Sequence, residues 1–237
     1  MVNILISGYY GFDNIGDESI LRTLVSSLRE HIPDCSLTVL SHNPASTREK
    51  YGVEAVDRMS PMAILRAVKK CDMLISGGGS LLQDVTSSKS LHYYLSIIRC
   101  AEFFHKKVFI YSQGIGPIDR PGNRRAAAAA LKRADGIVVR DERSAALLEE
   151  IGIARDKVVI TADPVIRMKK PDGDVGAEIL RKAGVSLDGR LTVGWAIRER
   201  DTDSRFVKEL LRSIQMMKDK YNAQSVLIPF HYEEDGE

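Results

Sequence analysis

Cysteine is scarce in this chain, and its spacing pairs nothing. Cys35, Cys71 and Cys100 form an odd, widely separated set with no C-x-x-C, so neither a disulfide framework nor a zinc site is indicated. Long apolar runs are missing as well: no stretch approaches the roughly 18 apolar residues that a membrane helix needs. The first residues lead straight into a strand pattern, without the basic segment and long apolar core of a signal peptide. Charge of one sign is also lacking. The formal net charge is +2 and no basic block occurs, which argues against a nucleic-acid partner. His31, His42, His92, His105 and His231 are scattered and read as surface or core residues rather than ligands. These absences lead to the expectation of a reduced, cytoplasmic protein with no metal and no tightly bound cofactor. Hydrophobic content of 44% and charged content of 28% suit a soluble globular chain, and 237 residues suffice for one large or two modest domains.

The richest stretch is Gly8-Tyr9-Tyr10-Gly11-Phe12-Asp13-Asn14-Ile15-Gly16-Asp17-Glu18. It follows an apolar run at 2–7, read as a buried strand. It precedes Ile20, Leu21, Leu24, Val25, Leu28 and Ile32, which recur at helical spacing with Asp17 and Ser19 as candidate caps. A glycine-rich turn between strand and helix lets backbone approach a ligand and aims N–H groups and the helix dipole at an anion. The spacing is neither the G-x-G-x-x-G of dinucleotide folds nor a Walker loop, because no Gly-Lys-Ser/Thr follows.

Strand-like and helix-like segments then alternate. Strands are expected at 37–40, 53–56, 72–76, 107–111, 136–139 and 158–161, with helices between them. Such alternation of apolar strands with helices implies a doubly wound parallel sheet covered on both faces. Near 168–174 the pattern breaks into Lys-Lys-Pro-Asp-Gly-Asp, a linker signal. Beyond it come a helix near 178–183, a strand at 191–197, a helix at 206–220 and a strand at 225–230. The expected domains are therefore 1–168, a linker at 169–174, and a second unit over 175–237. A lone strand-helix-strand cannot bury both faces of its sheet, so this unit is expected to be incomplete, or else to extend the first sheet.

Ligands of open parallel sheets bind beyond the carboxyl ends of the strands. Those ends carry the 8–18 loop, Gly77-Gly78-Gly79-Ser80-Leu81-Leu82-Gln83-Asp84, Ser112-Gln113-Gly114-Ile115-Gly116-Pro117, Arg140-Asp141-Glu142-Arg143-Ser144 and Ala162-Asp163-Pro164. Arg140 ends an apolar strand directly, which places a planar fork for phosphate or carboxylate in the cleft. Arg198 ends a strand of the second unit in the same way. Asp141 reads equally as a helix cap, Arg143 as a solvated charge, and Asp163 as the end of a strand.

Taken in order, these motifs resemble the polysaccharide pyruvyl transferase family, in particular its bacterial cell-wall, CsaB-like branch. The resemblance covers about the first 165 residues. It implies a glycosyltransferase-B-like fold in which a doubly wound parallel-sheet domain is followed by a second, here incomplete, Rossmann-like domain. It also implies phosphoenolpyruvate as donor co-substrate and, as acceptor, a sugar of a lipid-linked glycan at the inner membrane face. The family's Arg-Leu-His element does not occur in this sequence, which places the general acid outside it. On this footing Arg140 and Asp17 are the catalytic candidates. Gly77, Gly78, Gly79, Ser80, Arg140, Arg143 and Arg198 are the donor-binding candidates. Tyr9, Tyr10, Asn14, Asp17, Glu18, Asp84, Gln113 and Asp163 are expected at the acceptor or the cleft. A nucleotide-sugar glycosyltransferase of the same architecture and a non-catalytic partner domain are the alternatives.

Overall fold

The computed structural model describes residues 1–85, 87–170, 173–186, 188–197 and 204–229. It falls into two compact units, Met1–Met168 and Lys169–Glu237.

In the first unit, strands β1 (Val2–Tyr10), β2 (Cys35–Ser41), β3 (Glu54–Asp57), β4 (Met73–Gly77), β5 (Lys107–Gln113), β6 (Gly136–Val139) and β7 (Val158–Ile160) alternate with helices. The helices are α1 (Ile15–His31), α2 (Pro44–Tyr51), α3 (Pro61–Lys70), α4 (Ser88–Phe103), α5 (Pro121–Leu131) and α6 (Glu142–Glu150). All seven strands pair in parallel, in the order β3-β2-β1-β4-β5-β6-β7. The chain winds outward from β1 to β3, then returns to lay β4 on the other side of β1. Connections from β1 and β4 thus leave in opposite senses and open a crevice at their carboxyl ends.

Alternation of side chains along the strands builds a core on each face. Leu5 and Leu74 join Val68, Leu91, Leu95, Ala127 and Leu148 beneath α3–α6. Ile4, Ile6 and Ile75 join Leu21, Leu24 and Tyr51 beneath α1 and α2. The alanine run of α5 is packing surface, with Ala127 and Ala130 fully buried.

Local signals set the helix starts. Pro44, Pro61 and Pro121 stand at the first turns of α2, α3 and α5, where the missing N–H costs nothing. The cap of α1 is Asn14, whose side chain accepts from the Asp17 amide at 3.1 Å. Asp17 and Ser19, the expected caps, lie within the helix instead. β1 also runs further than its apolar pattern suggests, to Tyr10, with a register shift between Ser7 and Tyr10.

The second unit holds α7 (Gly173–Lys182), β8 (Thr192–Ile197), α8 (Ser204–Tyr221) and β9 (Gln224–Pro229). β8 and β9 pair in parallel as a sheet of their own rather than extending the first. β8 alternates exposed and half-buried residues along its length, and Leu227 on β9 is 61% exposed. No helix among the described residues is long and apolar enough to cross a membrane.

Candidate functional site

The loops leaving the carboxyl ends of the strands divide into residues that hold the crevice together and residues that face it. Several expected cleft residues belong to the first group. Tyr10 is buried in the core, and its hydroxyl donates to the Gly77 carbonyl at 2.9 Å. It therefore braces the β4 loop from behind and does not line the cleft. Burial pushes its phenol well above the ordinary value, with the nearby Asp17 charge adding to the shift. Glu18 accepts from the Gly11 amide at 2.8 Å and from the Tyr51 hydroxyl. Its carboxylate is thus taken up in closing the glycine turn, as Asn14 is in capping α1.

Asp84 and Gln113 are corrected in the same sense. Asp84 is buried and accepts from the Asp119 amide at 2.9 Å, the Arg120 amide at 3.1 Å and Asn123 Nδ2 at 2.7 Å. It ties the loop after β4 to the start of α5. Burial alone would raise its pKa, but the donated hydrogen bonds outweigh it and hold the carboxyl below its ordinary value. Gln113 is fully buried, with Nε2 donating at 2.8 Å to both the Ser76 carbonyl and the Ser76 hydroxyl. In the triple-glycine loop, the Gly78 amide donates to the Tyr111 carbonyl at 3.0 Å. That amide is therefore not available to a donor molecule as expected.

Asp17 and Gly79 do meet at the crevice. Gly79 has φ +68, a left-handed conformation that favours glycine, and a Cβ there would stand 2.9 Å from Asp17 Oδ1. The close approach brings the loop after β4 against the first turn of α1.

Arg140 is the organising residue on the other half of the edge. Its Nη1 donates to Asp163 Oδ2 at 2.9 Å, its Nη2 donates to Ser80 Oγ at 2.9 Å, and its Nε lies 3.7 Å from Asp141 Oδ2. The guanidinium lies across Gly114, where a Cβ would come within 2.9 Å of Nε and Nη2. Glycine at 114 is what makes room for it. Asp163 also caps the short 3-10 turn Pro164–Arg167 through the Val165 amide at 3.1 Å. Asp141 is the cap of α6, accepting from the Ser144 amide at 2.8 Å and its hydroxyl at 2.7 Å. That hydroxyl accepts in turn from the Ile115 amide at 2.8 Å, which fastens the 114–117 loop to α6. Burial works against the ionised Asp141 carboxyl, yet the Ser144 hydrogen bonds and the Arg140 and Arg143 charges hold its pKa low.

These groups surround a cavity of about 420 Å³ lined by Ser80, Gly114, Arg124, Arg140, Asp141 and Arg143, among others. Arg143 lines the cavity as an exposed residue, and its charge also helps hold Asp141 ionised. Arg124 was missed by the sequence reading. Its Nε donates to the Ile118 carbonyl at 2.7 Å and its Nη1 reaches Glu150 at 3.3 Å, contacts that only the tertiary fold creates. Arg198 lies outside the described residues. No group of three or more His, Cys, Asp or Glu among the described residues is arranged to hold a metal.

A family model described as polysaccharide pyruvyl transferase matches residues 14–237. The amylovoran biosynthesis protein AmsJ of Erwinia amylovora is 24% identical over 239 aligned positions, which take in 84% of this chain. The chain spans 57% of the length of that curated relative. Among solved structures, Anabaena HepE in complex with UDP-glucose superimposes with a TM-score of 0.58 at 11% identity, over 96% of this chain and 69% of that one. The UDP-GlcNAc 2-epimerase of Methanocaldococcus jannaschii gives 0.62 at 12% identity, over 98% and 67%. At such low identities these superpositions show the fold alone, which is α/β and glycosyltransferase-B-like.

Proposed function

The chain belongs to the polysaccharide pyruvyl transferase family, and from that premise we propose that it moves pyruvate from phosphoenolpyruvate onto a sugar of a cell-wall polysaccharide precursor, as a ketal. The observation that carries the donor half is the cavity flanked by Arg124, Arg140 and Arg143 at the carboxyl end of a parallel sheet. Phosphoenolpyruvate presents a carboxylate and a phosphate, and guanidinium forks match both. Arg143 meets one anionic group directly. Arg140, held by Asp163 and Ser80 with Asp141 beside its Nε, offers its charge to the other. We take the acceptor hydroxyls to enter beside Gly79 and Asp17, which approach each other closely, with Asp17 as the group that receives a proton.

In this chemistry the methylene carbon of the donor gains a proton and C2 becomes oxocarbenium-like. A sugar hydroxyl adds to C2 and gives up its proton. The C2–O bond to phosphate breaks, and a second hydroxyl of the same sugar closes the ketal. Of the two hydroxyl protons, one balances the new methyl group and the other leaves with phosphate. Arginines lower the barrier by stabilising the charge that gathers on the departing phosphate. The ketal keeps the pyruvate carboxylate, and the negative charge suits the modified polymer to anchoring surface-layer proteins. The acceptor is taken to be lipid-linked, met at the inner face of the membrane.

The test is to incubate the protein in its full natural length with phosphoenolpyruvate and a lipid-linked acceptor containing N-acetylmannosamine, following phosphate release and the mass of the glycan. Coupled phosphate release and pyruvate addition are expected. Transfer of a sugar from a nucleotide sugar, with none from phosphoenolpyruvate, would replace this reading with that of a glycosyltransferase.

A further inference from the structure

The carboxyl edge carries a second built feature, away from Arg140. Tyr9 near the end of β1, Phe12 in the glycine turn and His42 just after β2 form a continuous stack. Tyr9 and Phe12 have ring centroids 4.1 Å apart at 6°, and Phe12 and His42 are 4.4 Å apart at 5°. Three rings from three separate segments lie parallel, with Tyr9 and Phe12 half-buried and His42 exposed.

Behind them stands Arg58, which follows β3 and is only 7% exposed. Its guanidinium carbon lies 5.6 Å from the Tyr9 ring, 5.1 Å from Phe12, 4.7 Å from Tyr93 and 5.5 Å from Tyr94. Nη1 donates to the Gly8 carbonyl at 3.1 Å and Nη2 to the Tyr94 hydroxyl at 3.2 Å, while the buried Nε has no partner. Among the described residues no carboxylate pairs with this buried charge. Burying a guanidinium this way is costly, and the surrounding ring faces offset part of that cost. The arrangement pins the rings from behind while their outer end meets solvent.

We propose that the Tyr9–Phe12–His42 stack is a carbohydrate platform, holding by its apolar face a sugar of the acceptor other than the one that receives pyruvate. This rests on the polysaccharide acceptor of the preceding reading. The distinction between the two sugars comes from the sheet order. Three strand steps separate β1 from β6, which Arg140 follows, and at about 4.8 Å per step the span is about 14 Å. That is more than one sugar ring. The stack therefore recognises chain length and linkage rather than the reacting hydroxyls.

The probes are an array of uncharged bacterial surface-polysaccharide tetrasaccharides, the corresponding monosaccharide glycosides, uridine and phosphoenolpyruvate, titrated by NMR against the full chain. The variants are His42→Ala, Phe12→Ala and Phe12→Leu; the last keeps apolar volume but removes the ring on which the exposed His42 stacks. Tetrasaccharide binding should weaken roughly five- to tenfold in each variant, with phosphoenolpyruvate binding unchanged. Tetrasaccharide binding that ignores all three variants, or no tetrasaccharide binding at all, overturns the proposal. Loss of uridine binding with tetrasaccharides unaffected overturns it too, in favour of a nucleobase platform. A wild-type protein that binds tetrasaccharides through the stack but not phosphoenolpyruvate leaves this proposal standing while the donor reading fails.

Discussion

The two units of this chain are made of the same parts and reach different ends. In Met1–Met168, each strand of the sheet's centre is covered on both faces, and Leu5, Leu74, Ile4 and Ile6 are essentially inaccessible. In Lys169–Glu237, two parallel strands and their helices leave Leu227 61%, Leu211 58% and Met216 56% exposed. Parallel strands carry apolar residues on both sides, so two of them with one crossover cannot hide what seven can. The difference fits the place of the candidate site: a cavity whose arginines must be held to within fractions of an ångström is best served by the well-packed unit beneath it.

Substitutions can sharpen that contrast. The largest effect is expected in the core of the first unit. Leu74→Ala removes a fully buried side chain between the sheet and the α3–α6 layer and should cost about 2–5 kcal/mol in denaturant unfolding. A cost below about 1 kcal/mol would mean the first unit packs no better than the second.

Asp84 comes next. Asp84→Asn removes a carboxylate that accepts three hydrogen bonds and should cost about 1.5–3 kcal/mol near neutral pH. Its folded-state pKa is depressed, so this stabilisation is fully present above the unfolded value of about 3.9 and is lost as pH falls through the lower folded value. The gap between wild type and Asp84→Asn should therefore close below about pH 4. A pH-independent gap would show that shape, not charge, matters at this position. Asp188, in the second unit, is also depressed, through the Arg190 amide and the Ser186 side chain, but it is exposed and its substitution should register little.

The smallest effect belongs to Leu227→Ala, expected within about 0.5 kcal/mol because most of the side chain is already in water. A loss comparable to that of Leu74→Ala would break the comparison between the units.

The parallel fold was legible because apolar runs alternated with helical spacing, and the strand ends carried the glycines and arginines together. What stayed hidden depended on partners far away in sequence. Gly8 reads as a loop residue, yet β1 continues through it because Tyr10 pairs with Ser41. Asp17 and Ser19 both look like caps, and only backbone geometry shows that Asn14 takes that position. Asp84 and Glu18 were read as cleft groups from their neighbourhood, but a carboxylate near a glycine loop serves equally to satisfy the loop's own amides. Arg124 sat in an unremarkable helix, and only the Ile118 carbonyl and Glu150 turn it toward the cavity.

The central claim is that the cavity beside Arg140 binds a small donor carrying two anionic groups, a carboxylate and a phosphate. Calorimetric titration of phosphoenolpyruvate into wild type and Arg140→Ala tests it most directly, with thermal unfolding measured on the same samples. Loss of a charged hydrogen-bonding partner should weaken binding by about 1.5–3 kcal/mol, roughly 10- to 150-fold. The Arg140–Asp163 pair is about one-third exposed on each side, so the stability change should stay below about 1 kcal/mol. Unchanged affinity for phosphoenolpyruvate together with a large loss of stability would contradict the account, and make Arg140 a structural strut.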